Sequence, residues 1–239
     1  MLKFAKSVFI FILVSALVVT GISVVKAQHY DDVLRYALLR EEFDSIMYVS
    51  DNGIMVGYET GEFAPNAYIN RAQFVQTLYN HSGEFYSAYE SIFTDVIEGT
   101  WYYDAVYWAY NEGLINGISD TTFHPARNIT TAEALTILYR YAENEFYDTE
   151  YSFETEPILS HSDHNSIAPW ARDSMNWALA YNILNPLSDT AALNPNADAK
   201  RKEIAVFMRN FEKEAIGVNN NNSNFAPLIL QKSLEFSNL

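Results

Sequence analysis

Residues 53–79 read GIMVGYETGEFAPNAYINRAQFVQTLY, and residues 113–139 read GLINGISDTTFHPARNITTAEALTILY. The two stretches align without a gap at a spacing of 60 residues. The alignment pairs Gly53 with Gly113, Gly57 with Gly117, Phe63 with Phe123, Pro65 with Pro125, Ile69 with Ile129 and Tyr79 with Tyr139. A more eroded third copy, NILNPLSDTAALNPNADAKRKEIAVFMR, begins at Asn182. Repetition of this kind indicates supersecondary units that bury their apolar faces only against one another.

Each copy has the pattern of a helix, an ordered loop and a second helix. In the clearest copy, 93–142, apolar residues at helical spacing predict a first helix over 101–112, and Gly113 is a stop signal. Thr130 and Glu133 form a capping-box pattern at the start of the second helix. Second helices are therefore expected near Arg71, Thr131 and Arg201. Aromatic residues at helical spacing predict the core: Phe63, Trp108, Phe123 and Trp177.

These patterns divide the chain into segments. The expected boundaries are a signal peptide at 1–27, repeats at 28–82, 93–142 and 161–212, and a tail at 213–239. The segment 143–160 is acidic and aromatic, which is typical of an exposed linker. The tail is rich in asparagine and lacks a helical or strand period, so we expect it to be largely disordered.

The first residues indicate export. Lys3 and Lys6 precede an apolar run from Val8 to Val25, and Ala27 completes a small-residue cleavage pattern. This predicts a secretory signal peptide and no stable membrane span after cleavage; the alternative is an uncleaved membrane anchor. The chain contains no cysteine, which excludes a lipoprotein anchor and a disulfide framework.

The charge of the chain is strongly negative. Its 15 basic and 30 acidic residues give a net charge of −15, and loss of residues 1–27 would remove three lysines and leave −18. Nucleic acid is not an expected partner, because phosphate binding needs a basic surface. An anionic ligand would have to be held by a few locally placed cations against the overall field.

The repeats resemble the S-layer homology (SLH) domain. The resemblance rests on an Asp near the start of each copy, a Trp that opens a helix, Gly-x-x-x-Gly, Phe-x-Pro, and a helix start of the Ile-Thr-Arg-Ala-Glu type. It would cover 30–212 as three tandem copies. It implies an all-α, pseudo-threefold bundle of three helix-loop-helix repeats. It also implies non-covalent attachment to secondary cell-wall polysaccharide, often through pyruvylated sugars, at the cell surface of bacteria with a Gram-positive-type envelope.

The helix starts indicate how such a ligand could be held. Asn70 is a good N-cap, which places Arg71 in the first turn, where a guanidinium can bind a carboxylate. The candidate ligand-binding residues are Asp32, Arg71, Asp95, Trp101, Asp163, Trp170 and Arg201. The tryptophans would offer an apolar face to a sugar ring. The aspartates would accept hydrogen bonds from sugar hydroxyl groups, or they would only cap a turn. Thr131 replaces the expected Arg in the second copy, so a groove that depends on that position should be weak or empty.

No pattern in the sequence indicates an enzyme, a cofactor or a metal site. Cysteine nucleophiles, a Gly-x-Ser-x-Gly motif and a phosphate-binding glycine loop are missing, and His161 and His164 in an acidic loop are a weak metal signal. Two classes of function remain: a module that binds cell-wall polysaccharide, and a secreted protein-interaction scaffold with degenerate repeats, whose tail or acidic linker engages a partner protein. Thr131 in the second copy and the missing Trp of the first copy favour the protein-interaction scaffold.

Overall fold

The computed structural model describes residues 30–36, 38–84, 92–145, 156–185 and 191–215. The predicted signal peptide, the middle of the acidic linker and residues 216–239 of the predicted tail lie outside these residues. Within them, no helix is both long enough and apolar enough to span a bilayer.

The described residues form short helices joined by ordered loops. The α-helices are α1 (Asp31–Arg35), α2 (Arg40–Asp51), α3 (Arg71–Ser82), α4 (Tyr103–Asn111), α5 (Thr131–Glu145), α6 (Arg172–Ala180) and α7 (Arg201–Asn210). Single 3-10 turns occupy Pro157–Ser160, His164–Ser166 and Pro169–Ala171, and a π-helical turn, Phe211–Ala215, follows α7 directly. The first helix of the second copy is thus shorter than predicted, because Trp101 precedes it.

The predicted starts of α3, α5 and α7 are confirmed, and side chains in the first turns explain them. Asn70 accepts a hydrogen bond from the main-chain N–H of Gln73, and the Gln73 side chain accepts one from the N–H of Asn70. Thr130 and Glu133 make the same reciprocal pair. In the third copy, the carboxylate of Glu203 accepts from the N–H three residues earlier. Each pair satisfies N–H groups that a helix start otherwise leaves free.

The two glycines of Gly-x-x-x-Gly have different roles. Gly53 and Gly113 lie just beyond the ends of α2 and α4 with φ values of 69° and 70°, a left-handed conformation that favours glycine. Gly117 lies against the ring of Phe93, where an added Cβ would be 2.7 Å from a ring carbon. An added Cβ at Gly57 would be 2.3 Å from a tyrosine ring carbon. The second glycine therefore lets an aromatic side chain pack directly on the loop.

The main helix–helix contacts join different copies. Helix α3 packs against α4, α5 against α6, and α2 against α7. The α2–α7 contact brings the first long helix of the described residues against the last one. The predicted core residues Phe63, Trp108, Phe123 and Trp177 are confirmed as buried, and they belong to one continuous apolar cluster.

Three main-chain hydrogen bonds join the residues that precede α3, α5 and α7. The N–H of Ile69 donates to the carbonyl of Ala199 at 3.0 Å, that of Ala199 to Ile129 at 2.9 Å, and that of Ile129 to Ile69 at 3.1 Å. The three bonds form a closed ring, and all three side chains are fully buried. The starts of the three helices are thereby fixed relative to one another.

Candidate functional site

A groove of about 180 Å³ opens beside Arg71. Its walls come from the loop 115–118, from one face of α5 and from the 3-10 turn that contains Trp170. The lining residues are Arg71, Ile115, Asn116, Gly117, Ile118, Glu133, Thr136, Ile137, Arg140 and Trp170. The groove therefore combines an apolar wall, several polar groups and two arginines. All three copies contribute residues to it.

The guanidinium of Arg71 is fixed by the loop of the second copy. Its Nε donates to the carbonyl of Phe123 at 3.0 Å, and its Nη2 donates to the carbonyl of Asn116 at 3.1 Å. Its Cζ atom lies 4.4 Å from the centroid of the Phe123 ring. The residue is only 5% exposed, and burial lowers the pKa of Arg71 to about 10. A cation at this position is held in one geometry before any ligand arrives.

The charge around the groove is positive although the chain is acidic. Arg140 lines the groove and donates to the carbonyl of Leu114 at 3.1 Å. Arg127 makes a 2.6 Å ion pair with Glu133. Burial alone would raise the pKa of Glu133, but the hydrogen bonds from Arg127 and Thr130 and the nearby positive charges hold it below its usual value. Glu133 is thus neutralised by its own partner, and Arg71 and Arg140 remain to attract an anion.

The two candidate tryptophans are both on the surface, but only one lies in this groove. Trp170 is 58% exposed and forms part of the groove wall. Trp101 is 61% exposed, precedes α4 and packs its ring edge-to-face on Tyr102, at a centroid distance of 5.0 Å. The exposed indole of Trp170 next to buried Arg71 gives the groove an apolar face beside a cation.

The three candidate aspartates share one role in the structure. Each carboxylate accepts hydrogen bonds from two consecutive main-chain N–H groups, about 30 residues further along the chain, in the loop before the next long helix. The pairs are Asp32 with Phe63 and Ala64, Asp95 with Phe123 and His124, and Asp163 with Leu193 and Asn194, at 2.7–3.0 Å. These bonds occupy both oxygens of each carboxylate, which corresponds to the alternative interpretation as turn-capping residues. Direct contact of the aspartates with a ligand stays a prediction.

Arg201 repeats the arrangement of Arg71 at a different place. Its Nε donates to the carbonyl of Phe63 at 2.7 Å, and its Nη2 donates to the carbonyl of Val56 at 2.8 Å. It is also 5% exposed, and burial lowers its pKa. Arg71 therefore meets the loop of the second copy, whereas Arg201 meets the loop of the first. The two arginines do not share a groove.

The corresponding position in the second copy is Thr131. Its side chain is buried at the start of α5, and its main-chain N–H donates to the carbonyl of Ala197 at 3.0 Å. The loop of the third copy that would face it includes residues 186–190, which lie outside the described part. The expectation of a weak groove at Thr131 stays a prediction.

The two histidines of the third copy make local contacts. Nδ1 of His161 donates to the carbonyl of Ala191 at 2.7 Å, and Nδ1 of His164 donates to the carbonyl of His161 at 2.8 Å. No cluster of three potential metal ligands occurs among the described residues.

Sequence reasoning missed Arg140 and Asn116. Arg140 lies beside the apolar stripe of α5, and a single arginine at such a position is most simply read as a solvent-exposed residue. A usable signal was its alignment with Asn80 in the first copy, where a polar residue recurs at the same position. Asn116 contributes through its main-chain carbonyl, and side-chain chemistry in the sequence cannot indicate such a role.

Comparison with known proteins finds one family that matches two segments of the chain. Residues 41–75 and 92–135 match the S-layer homology domain. The chain is 29% identical to a surface-layer 125 kDa protein of Lysinibacillus sphaericus over 204 residues, which is 84% of this chain and 16% of that protein. It is 30% identical to a cellulosome-anchoring protein of Acetivibrio thermocellus over 105 residues, or 41% of this chain and 23% of that protein.

An enzyme also contains a similar segment. An amylopullulanase of Thermoanaerobacterium thermosulfurigenes is 30% identical over 168 residues, which is 69% of this chain but 9% of the enzyme. The chain thus spans less than a quarter of the length of each of these three relatives. Such a small shared part transfers no catalytic activity. The chain carries S-layer homology segments, and the matches indicate an anchoring module at the cell surface of a bacterium with a Gram-positive-type envelope.

Proposed function

We propose that this chain binds an anionic secondary cell-wall polysaccharide, with the groove beside Arg71 as its binding site. The observation that carries the proposal is the juxtaposition of Arg71, Arg140 and the exposed ring of Trp170 in one groove. An indole face beside fixed cations suits a sugar ring that bears a carboxylate. A pyruvate ketal is one such substituent, and it supplies one carboxylate per sugar.

We also propose that the chain is a pseudo-threefold bundle of three S-layer homology repeats. Three repeated features support this: the closed ring of bonds among Ile69, Ile129 and Ala199, the three aspartate clamps, and the two equivalent arginine contacts. The third copy, 161–212, shares all three features, because it contains Ala199, Asp163 and Arg201. In such an arrangement each groove is built between neighbouring repeats, so sugar binding depends on the complete domain.

The test is retention of the purified chain by cell-wall sacculi, with and without their secondary polysaccharide. Trp170→Ala should lower the affinity for intact sacculi by up to about tenfold, because packing of a ring against an aromatic face is worth about 0.5–1.5 kcal/mol beyond the area that it buries. Leu159→Ala is a matched control, since it also shortens an exposed apolar side chain, in the 3-10 turn just before the third copy, but lies outside the groove.

The outcomes separate the two classes of function. Loss of retention on removing the polysaccharide, together with a selective effect of Trp170→Ala, supports polysaccharide binding. Equal retention by stripped and intact sacculi would contradict the proposal. In that case the protein-interaction scaffold, acting through the tail or the acidic linker, becomes the better explanation.

A further inference from the structure

The surroundings of Arg71 and Arg201 differ in three aligned residues. The ungapped alignment of the first two copies places Tyr58 opposite Ile118, Gln73 opposite Glu133, and Asn80 opposite Arg140. Ile118, Glu133 and Arg140 line the groove beside Arg71. Their counterparts therefore belong to the loop and helix that Arg201 meets.

Tyr58 lies against the guanidinium of Arg201. The Cζ atom of Arg201 is 4.8 Å from the centroid of the Tyr58 ring and 4.7 Å from that of Phe63. The Tyr58 hydroxyl accepts a hydrogen bond of 3.2 Å from Nε2 of Gln73, which ties the ring to α3. Two aromatic rings and two main-chain carbonyls thus surround this cation, and the first copy supplies all four.

The guanidinium of Arg71 has a different neighbourhood. One ring, that of Phe123, lies against it, and the residue in the place of Tyr58 is Ile118. Isoleucine has no ring to lie over a cation and no hydroxyl to bond to α5. Glu133, in the place of Gln73, is instead paired with Arg127. Among the described residues, the Arg71 guanidinium therefore has no counterpart of the Tyr58 ring, and it lines the groove directly.

We infer that Tyr58 is a specificity-determining residue that keeps Arg201 from binding an anionic sugar, so that the chain takes one such ligand, at Arg71. The ring covers the cation and stabilises it through its π face, which is the interaction that an incoming carboxylate would have to replace. The hydrogen bond from Gln73 opposes displacement of the ring. This inference rests on the proposed function, and it adds the number and location of the working grooves.

The experiment is a reciprocal exchange between the two sites. The probe is a short oligosaccharide cut from pyruvylated wall polysaccharide, titrated into the whole chain by calorimetry to give the number bound per chain. We expect one equivalent for the parent, two for Tyr58→Ile, and none for Ile118→Tyr with Glu133→Gln. Glutamine should preserve the helix cap at position 133, because Gln73 accepts the same main-chain bond in the first copy.

Two controls guard against effects of folding. Thermal melts establish that each variant is folded at the temperature of the titration. Tyr110→Ile makes the same chemical change at an exposed tyrosine of α4, which packs on Phe93 and contacts neither arginine. It should leave one equivalent bound.

Failure of the inference can be distinguished from failure of the proposed function. Two equivalents for the parent, or one equivalent after Tyr58→Ile, would overturn the role of Tyr58 while leaving polysaccharide binding intact. If the parent binds neither the oligosaccharide nor sacculi, the proposed function is wrong, and the inference falls with it.

Discussion

The Nε atom of Arg201 donates a 2.7 Å hydrogen bond to the main-chain carbonyl of Phe63, 138 residues earlier in the chain. Together with the bond to Val56, this contact ties the last long helix to the first ordered loop. The packing of α2 against α7 joins the same two copies. Arg201 thus joins the first and third copies, and this structural role does not depend on a ligand.

We predict that Arg201→Ala lowers the free energy of unfolding by about 2–4 kcal/mol, because two main-chain carbonyls in a buried or half-buried loop lose their charged donor. Urea denaturation followed by circular dichroism measures the change. Arg40→Ala is the control: its side chain is 93% exposed and makes only a 3.7 Å contact with Asp44, so the expected change is below about 0.5 kcal/mol. Equal effects of the two substitutions would contradict the structural role of Arg201.

A second prediction concerns the aspartate clamps. Asp32→Asn should destabilise the chain by about 1–2 kcal/mol, since an amide can accept only one of the two main-chain hydrogen bonds and its NH₂ group faces the other donor. The neighbouring Asp31→Asn removes the same charge from an exposed side chain in the first turn of α1 and should cost only a few tenths of a kcal/mol. Chemical denaturation of both variants tests the difference. A similar loss in both would mean that charge, and not the clamp, stabilises the fold.

Local chemistry explains why the helix starts could be predicted from the sequence. Asn70 and the Thr130–Glu133 pair satisfy free N–H groups wherever such a sequence meets a helix start, so their effect does not depend on distant residues. The left-handed glycines Gly53 and Gly113 act in the same way at helix ends. These features are encoded within a few residues and can be read directly.

The groove could be predicted only in part, because its geometry depends on long-range contacts. Sequence spacing suggested Arg71 and a tryptophan from a neighbouring repeat, but gave no means to pair Arg71 with Trp170 instead of Trp101. It also could not show that the Arg71 guanidinium is already bonded to the carbonyls of Asn116 and Phe123. The net charge of the chain also gave no indication that two arginines meet in this groove, because composition contains no information on position.

A third prediction follows from the closed ring of contacts. A fragment spanning 28–145 lacks α7, the partner of α2, and α6, the partner of α5. It also lacks Ala199, which supplies two bonds of the main-chain ring. We expect it to show no sigmoidal thermal transition, whereas a fragment spanning 28–215 should melt cooperatively. Differential scanning calorimetry of both fragments provides the test, and a cooperative transition of the shorter one would show that two copies suffice for a core.

The fourth prediction uses Asn80 as the natural replacement for Arg140. Nδ2 of Asn80 donates to the carbonyl of Ile54 at 3.2 Å, just as Nη1 of Arg140 donates to the carbonyl of Leu114. Arg140→Asn should therefore preserve the contact with the loop while removing one positive charge from the groove. Its free energy of unfolding should change by less than about 0.5 kcal/mol, as for substitutions that retain their main contact.

Binding of an anionic ligand should nevertheless weaken after Arg140→Asn. We expect the affinity for pyruvylated wall oligosaccharide to fall about three- to tenfold at low salt, corresponding to about 0.7–1.4 kcal/mol for one partly solvated charge interaction. The loss should shrink as salt is added, because screening weakens the same attraction in the parent. The oligosaccharide without its pyruvate ketal is the matched control, and parent and variant should bind it equally. If Arg140→Asn binds the pyruvylated form as tightly as the parent does at low salt, the carboxylate is not recognised near Arg140, and the anionic specificity assigned to this groove is wrong.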